Sequence, residues 1–204
     1  MIRIGLTGSI GMGKSTAAAM LRRLGLPVHD ADAAVHRLLA PGGEAVAAVL
    51  TAFPDVGSAD GGIDRRKLGA AVFGDDAALQ RLEAILHPRV GRAKEQFLAA
   101  MARRRRPMVV LDVPLLYETG GEKACDAVLV VSAPAFLQRQ RVMARPAMTD
   151  ARFRAILAKQ MPDAEKRRRT PHVIPTGLGQ RVSLDRLRTA LRRIAGSASM
   201  RASC

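Results

Sequence analysis

Gly8-Ser9-Ile10-Gly11-Met12-Gly13-Lys14-Ser15 fits the pattern G-x-x-x-x-G-K-[ST] and directly follows Ile2-Arg3-Ile4-Gly5-Leu6, a short apolar run that reads as a buried strand. Glycines let a backbone turn tightly enough to aim successive N–H groups inward, so the loop makes a nest of partial positive charge for polyphosphate oxygens. Lys14 adds a full charge for the β- and γ-phosphates, and Ser15 offers a hydroxyl to Mg²⁺. The alanine-rich stretch from Lys14 reads as a helix whose positive dipole end faces the same phosphates. Strand before and helix after are the context such a loop requires, and a plain glycine turn with a stray lysine would need neither.

Around this loop, 204 residues with 48% hydrophobic content suffice for a full core, as one domain with insertions or two small ones. No apolar run approaches the roughly 18 residues of a membrane span, so no membrane partner is expected. The chain is strand and loop from Met1-Ile2-Arg3 onward, which argues against a cleavable signal. Two cysteines, Cys125 and Cys204, are too few for a disulfide framework or a zinc site, and a cytoplasmic location is expected. The net charge of +15 implies polyanionic company. Residues 137–170 concentrate it, with ten basic against three acidic side chains, either as a ligand-binding surface or as a solvated helical face. Aromatic residues are only 3%, which leaves no stacking platform for single strands and no need for nucleic acid as an obligatory partner.

Further along, Leu26-Pro27-Val28-His29 reads as a second strand running into Asp30-Ala31-Asp32. Ligands of parallel α/β sheets collect at the carboxyl ends of strands, where these carboxylates fall. One suits a helix cap and the other a base that takes the proton of an attacking hydroxyl; Asp30 as cap and Asp32 as base is the favoured allocation. Residues 33–39, 44–53 and a block after Asp64 read as helices, with Pro88 expected to interrupt the last of them just after His87. Met108-Val109-Val110-Leu111-Asp112-Val113 reads as a central strand, with Asp112 placed to hold Mg²⁺ directly or through water, or to serve as a structural hydrogen-bonding carboxylate. Residues 127–131 form another strand. Arg141 and Arg145, spaced i, i+4 on the helix after it, are expected to project from one face onto a single phosphate ligand. Pro146 to Thr149 breaks that helix and Asp150 to Met161 reads as another, so the pair resembles a hinged lid. Residues 172–174 read as a last strand, 184–194 as a closing helix, and 196–204 as a frayed tail.

Taken together, Thr7 to Thr16, Asp30-Ala31-Asp32, Pro41-Gly42, Asp60-Gly61 with Asp64-Arg65, Leu82-Glu83 with Leu86-His87-Pro88, Pro114-Leu115-Leu116 with Glu118, Arg141 with Arg145, and Gln160 resemble the dephospho-CoA kinase family over nearly the whole chain. The resemblance implies an α/β fold, a P-loop NTPase three-layer sandwich with a central parallel sheet, a helical substrate-domain insertion and a helical lid. It implies a nucleotide core over 1–31, 107–144 and 171–204, a CoA-substrate subdomain over 32–106 and a lid over 145–170. The implied reaction is ATP-dependent phosphorylation of the 3′-hydroxyl of dephospho-CoA, the last step of CoA synthesis, with Mg²⁺ accompanying ATP and no protein partner. By the same resemblance Asp32, Lys14 and Arg141 are catalytic, and Gly11, Met12, Gly13, Lys14, Ser15, Thr16, Arg141 and Arg145 bind ATP. Asp32, His36, Arg65, His87, Leu115 and Leu116 line the acceptor side. Three departures stand out: Ser9 for a usual glycine, Thr170-Pro171 for Ala-Asp, and Pro175-Thr176 where an Asn often follows. Rival readings are another small-molecule kinase on the same scaffold and a basic nucleic-acid-binding P-loop regulator. A GTPase is disfavoured because the chain contains no asparagine and so no N-K-x-D signature.

Overall fold

The computed structural model describes residues 1–202, with side chains through Ser197; Cys204 lies outside the described residues. The first elements are β1 (Ile2–Thr7), α1 (Lys14–Arg23), β2 (Val28–Asp30), α2 (Ala31–Leu39), α3 (Val46–Ala52), α4 (Arg65–Val72) and α5 (Asp76–Arg103). They are followed by β3 (Met108–Asp112), β4 (Ala127–Ser132), α6 (Ala135–Met143), α7 (Asp150–Ala158), α8 (Asp163–Arg168), β5 (Val173–Pro175) and α9 (Gln180–Ala202). The chain divides into two compact units, Met1–His29 with Met101–Cys204, and Asp30–Ala100.

In the first unit the five strands lie in the order β2-β3-β1-β4-β5, and the pairs β1–β3, β1–β4 and β4–β5 are parallel. A parallel sheet covered on both faces needs strands that are apolar on both faces, and Ile4, Leu6, Val109, Val110, Leu129, Val130 and Val131 are all fully buried. Helices α1 and α9 supply one cover. Ala17, Ala18, Met20 and Leu21 of α1, and Leu187, Ala190, Leu191 and Ile194 of α9, share one core cluster with Ile4, Leu6 and Leu129. The α9 positions follow the i, i+3, i+4, i+7 spacing of an amphipathic face. Because Leu6 pairs with Asp112 and Thr7 with Val130, the carboxyl ends of β1, β3 and β4 form one rim, from which the glycine loop departs.

The second unit is helical and has its own core, including Leu38, Leu39, Val49, Phe53, Leu68, Leu82 and Leu86. Its helices start where the sequence places caps: Asp30 Oδ1 accepts from Ala33 N–H at 2.9 Å, Asp64 Oδ1 from Arg66 and Lys67, and Asp75 Oδ1 from Ala78.

Three expectations are corrected. Pro88 does not interrupt the helix, because α5 runs on to Arg103 with the proline inside. Proline removes a helical donor and crowds the preceding turn, yet the helix runs through it, and Arg89 Nη1 donates to the Ile85 carbonyl at 2.7 Å beside it. Residues 196–202, expected to fray with the rest of the tail, continue α9 instead, helical through Gly196; residues 203–204 lie outside the described residues. Lys166, one charge of a basic segment expected to be a ligand-binding surface or a solvated helical face, is neither: it lies on α8 at 0% exposure, its charge met by Glu118. Among the described residues no helix is long and apolar enough to cross a membrane.

Candidate active site

The loop between β1 and α1 takes its shape from glycine. Gly11 and Gly13 have φ of 77° and 87°, the left-handed region that costs a Cβ-bearing residue energy. Ser9, the departure from the family pattern, is not among the positive-φ residues, and its carbonyl accepts Met12 N–H at 3.1 Å. Gly13 caps α1 with no side-chain hydrogen bond, so the first-turn amides of Lys14, Ser15 and Thr16 have no acceptor in the helix ladder and face the loop's mouth.

Lys14 Nζ stands 2.7 Å from Asp112 Oδ1 at the carboxyl end of β3, with the two side chains 15% and 3% exposed. The pair places one cation and one carboxylate at the rim where the loop begins. Ser15 and Thr16 are exposed at the start of α1. Ser15 and Asp112 are hard oxygen donors of the kind Mg²⁺ takes, and a magnesium ion held through one or two protein oxygens draws its remaining ligands from phosphate and water. No group of three or more His, Cys, Asp or Glu side chains that could hold a metal occurs among the described residues.

Side chains from elsewhere in the first unit grip the loop's backbone. Gln160 Oε1 accepts from Ile10 N–H at 3.0 Å and Gln138 Nε2 donates to the Ile10 carbonyl at 2.8 Å. Thr176 Oγ1 donates to the Met12 carbonyl at 2.7 Å. Arg141 donates to Thr176 Oγ1 at 3.1 Å, to the Thr176 carbonyl at 2.7 Å and, more weakly, to the Gly11 carbonyl at 3.4 Å. Arg141 is therefore brought to the loop. Arg145 is not: α6 ends at Met143, so Arg145 lies off the helix, exposed, and the i, i+4 convergence expected of the two arginines does not form.

Gln160 follows α7 and is anchored through its neighbour. Glu118 Oε1 accepts from Met161 N–H at 2.8 Å and pairs with the buried Lys166 Nζ at 2.8 Å. Burial pushes the Glu118 carboxyl up, but hydrogen bonds from Lys166 and Met161 outweigh it and hold the group below its ordinary range. Arg139 Nη2 donates to both carboxylate oxygens of Asp150, at 3.0 and 2.8 Å, linking α6 to the start of α7.

Within the second unit, Asp30 is committed to capping α2, while Asp32 is exposed in the first turn of the same helix. His36, one turn beyond Asp32, meets Arg65 of α4 through Nε2 and Nη1. Both line a cleft of about 260 Å³ with Leu39, Pro41, Ser58 and Asp60. His87 is exposed on α5 and does not line that cleft. In the first unit Leu115 is 38% exposed, whereas Leu116 is 2% exposed and packs so closely on Gly5 that a Cβ there would come within 2.5 Å of it. Of the two leucines, only Leu115 has a side chain open to a ligand.

Sequence reasoning gave no role to Gln138, Gln160, Thr176 or Lys166. A usable signal existed for Gln138, which precedes Arg141 by three residues and so shares its helix face. Thr176 was visible only as a departure from a pattern.

Residues 2–178 match the family model described as Dephospho-CoA kinase. A Dephospho-CoA kinase of Paramagnetospirillum magneticum is 68% identical over 164 residues, covering 80% of this chain and 77% of that protein. One from Rhodospirillum rubrum is 62% identical over 188 residues, covering 92% and 89%. Among solved structures, TT1252 from Thermus thermophilus superposes with a TM-score of 0.81 at 38% identity, covering 94% of this chain and 96% of that one.

Proposed function

The chain belongs to the dephospho-CoA kinase family, and we propose on that premise how its residues carry ATP-dependent phosphorylation of the dephospho-CoA 3′-hydroxyl to give CoA and ADP. The amides at the start of α1 and the glycine loop hold the β- and γ-phosphates, and Lys14 neutralises charge on them. Magnesium, when bound, supplies further charge neutralisation, with Ser15 Oγ and Asp112, directly or through water, as its protein donors. Asp32 takes the proton from the 3′-hydroxyl as that oxygen bonds to the γ-phosphorus. The bond from phosphorus to the β–γ bridging oxygen breaks, and ADP leaves with its electron pair. Arg141 stabilises charge at the transferring group, and Arg145 joins it from the lid, residues 145–170.

Residues 32–106 serve as the acceptor subdomain in this reading. His36 and Arg65, side by side on one cleft, offer nitrogen donors to the acceptor's phosphate oxygens, with Leu115 contributing apolar contact. Leu116 supports the acceptor side through packing, and His87, exposed on α5, is a further acceptor-side contact in this reading. Membership of the family supports a cytoplasmic enzyme.

The observation that carries the reading is the Lys14–Asp112 pair at the mouth of a loop lined by helix-start amides. Its test is ADP release by purified protein given MgATP with dephospho-CoA, nucleosides or nucleoside monophosphates. The expected result is ADP release matched by CoA formation with dephospho-CoA alone. Preferential turnover of a nucleoside or monophosphate would contradict it.

A further inference from the structure

Three side chains outside the glycine loop fix the direction of its peptide planes. In a trans peptide the N–H points opposite to the C=O of the same plane. Gln138 draws the Ile10 carbonyl outward, so the Gly11 N–H in that plane is turned the other way. Thr176 does the same to the Met12 carbonyl and hence to the Gly13 N–H. Gln160 holds the Ile10 N–H itself, fixing the preceding plane. From within the loop, the Ser9 carbonyl takes the Met12 N–H.

We propose that Gln138, Thr176 and Gln160 form an outer clamp of positioning residues that presets the amide directions of the phosphate loop, and that phosphate affinity depends on it although none of the three touches ATP. The inference rests on the loop's role in holding triphosphate. A nest binds an anion only when its N–H groups already converge, since each peptide plane left to rotate must be ordered at the moment of binding. Glycine at 11 and 13 lets the loop take its shape but does nothing to hold it there.

The clamp is itself braced. Gln138 is 7% exposed, and Thr176 is gripped at both hydroxyl and carbonyl by Arg141. Gln160 is followed by Met161, whose amide is held by Glu118, the partner of fully buried Lys166. Thr176 thus has a specific task at a position where the family pattern differs: its hydroxyl closes on the Met12 carbonyl, and a Cβ on Gly13 would come within 3.0 Å of that hydroxyl.

The test compares Thr176→Val, which loses the donor at similar volume, with Thr176→Ser, which keeps it. The readouts are the Kd of MgATP measured by calorimetry without acceptor, the KM of each substrate, and Tm. The clamp predicts that Thr176→Val raises the Kd for ATP about tenfold, the scale of one hydrogen bond, leaves the KM for dephospho-CoA within about twofold, and that Thr176→Ser restores ATP binding. Gln160→Met against Gln160→Glu, which retains the acceptor, repeats the comparison should the valine variant not fold. A lowered Tm with unchanged Kd for ATP in both donor- and acceptor-deleted variants would make these residues structural only and overturn the clamp. Wild-type protein that binds no ATP would overturn the phosphate-loop reading and the clamp with it.

Discussion

Lys14 Nζ and Asp112 Oδ1 are 2.7 Å apart, and Asp112 is almost wholly enclosed. Breaking an enclosed ion pair by removing one partner costs about 3–5 kcal/mol, whereas replacing both by apolar groups is often neutral. Lys14→Met and Asp112→Leu are each expected to lower Tm markedly and abolish turnover. The double variant is expected to recover most of the Tm but none of the activity. Thermal melts and ADP release on the three proteins check this; a double variant no more stable than either single one would show that the pair does not act as a unit.

Glu118 gives the fold a pH dependence of known sign. Its carboxyl is held below the ordinary value of 4.5 despite burial, through the hydrogen bonds from Lys166 and Met161. A carboxylate depressed in the folded state contributes stability that is complete above its unfolded value and is lost as pH falls through its folded one. The Tm gap between wild type and Glu118→Gln should therefore be widest near neutrality and shrink as pH drops below about 4.5. A gap that stays constant down to about pH 3 would assign the effect to packing instead of charge.

Arg141 and Arg145 should separate. Arg141 is built into the loop's surroundings through Thr176, so Arg141→Ala is expected to weaken ATP binding and lower Tm together. Arg145 is exposed beyond the end of α6, and Arg145→Ala should change stability by no more than about 0.5 kcal/mol while lowering kcat through loss of charge stabilisation. Melting curves with ATP titrations distinguish them. Equal Tm losses would mean that Arg145 is also structural.

The legible parts of this protein are those encoded in contiguous residues. The loop from Gly8 to Ser15 carries its own turn chemistry, and the strand before it and helix after it are each set by local pattern. The caps Asp30 and Asp64 are local too, since each side chain reaches amides two or three residues on. What the sequence hides is non-local. Lys166 is tolerable in the core only because Glu118, distant in the chain, meets it, and a basic run gives no sign of that. Pro88 looks like a stop, but α5 carries it inside a helix that runs on to Arg103. The i, i+4 spacing of Arg141 and Arg145 implies a shared face only while the helix lasts, and it ends between them at Met143. Thr176 acts on Met12 across a wide gap in the chain, so its role appears only when β5 is laid beside β4.

Asp32, two residues past the end of β2, is the proposed acceptor of the hydroxyl proton, while Asp30 caps α2. The most direct measurement is kcat of Asp32→Asn with saturating MgATP and dephospho-CoA, alongside its Tm. A fall of about 10²-fold or more is expected, the range of a lost general base, with Tm close to wild type because Asp32 is exposed. An Asp32→Asn protein with intact folding and wild-type kcat would contradict it.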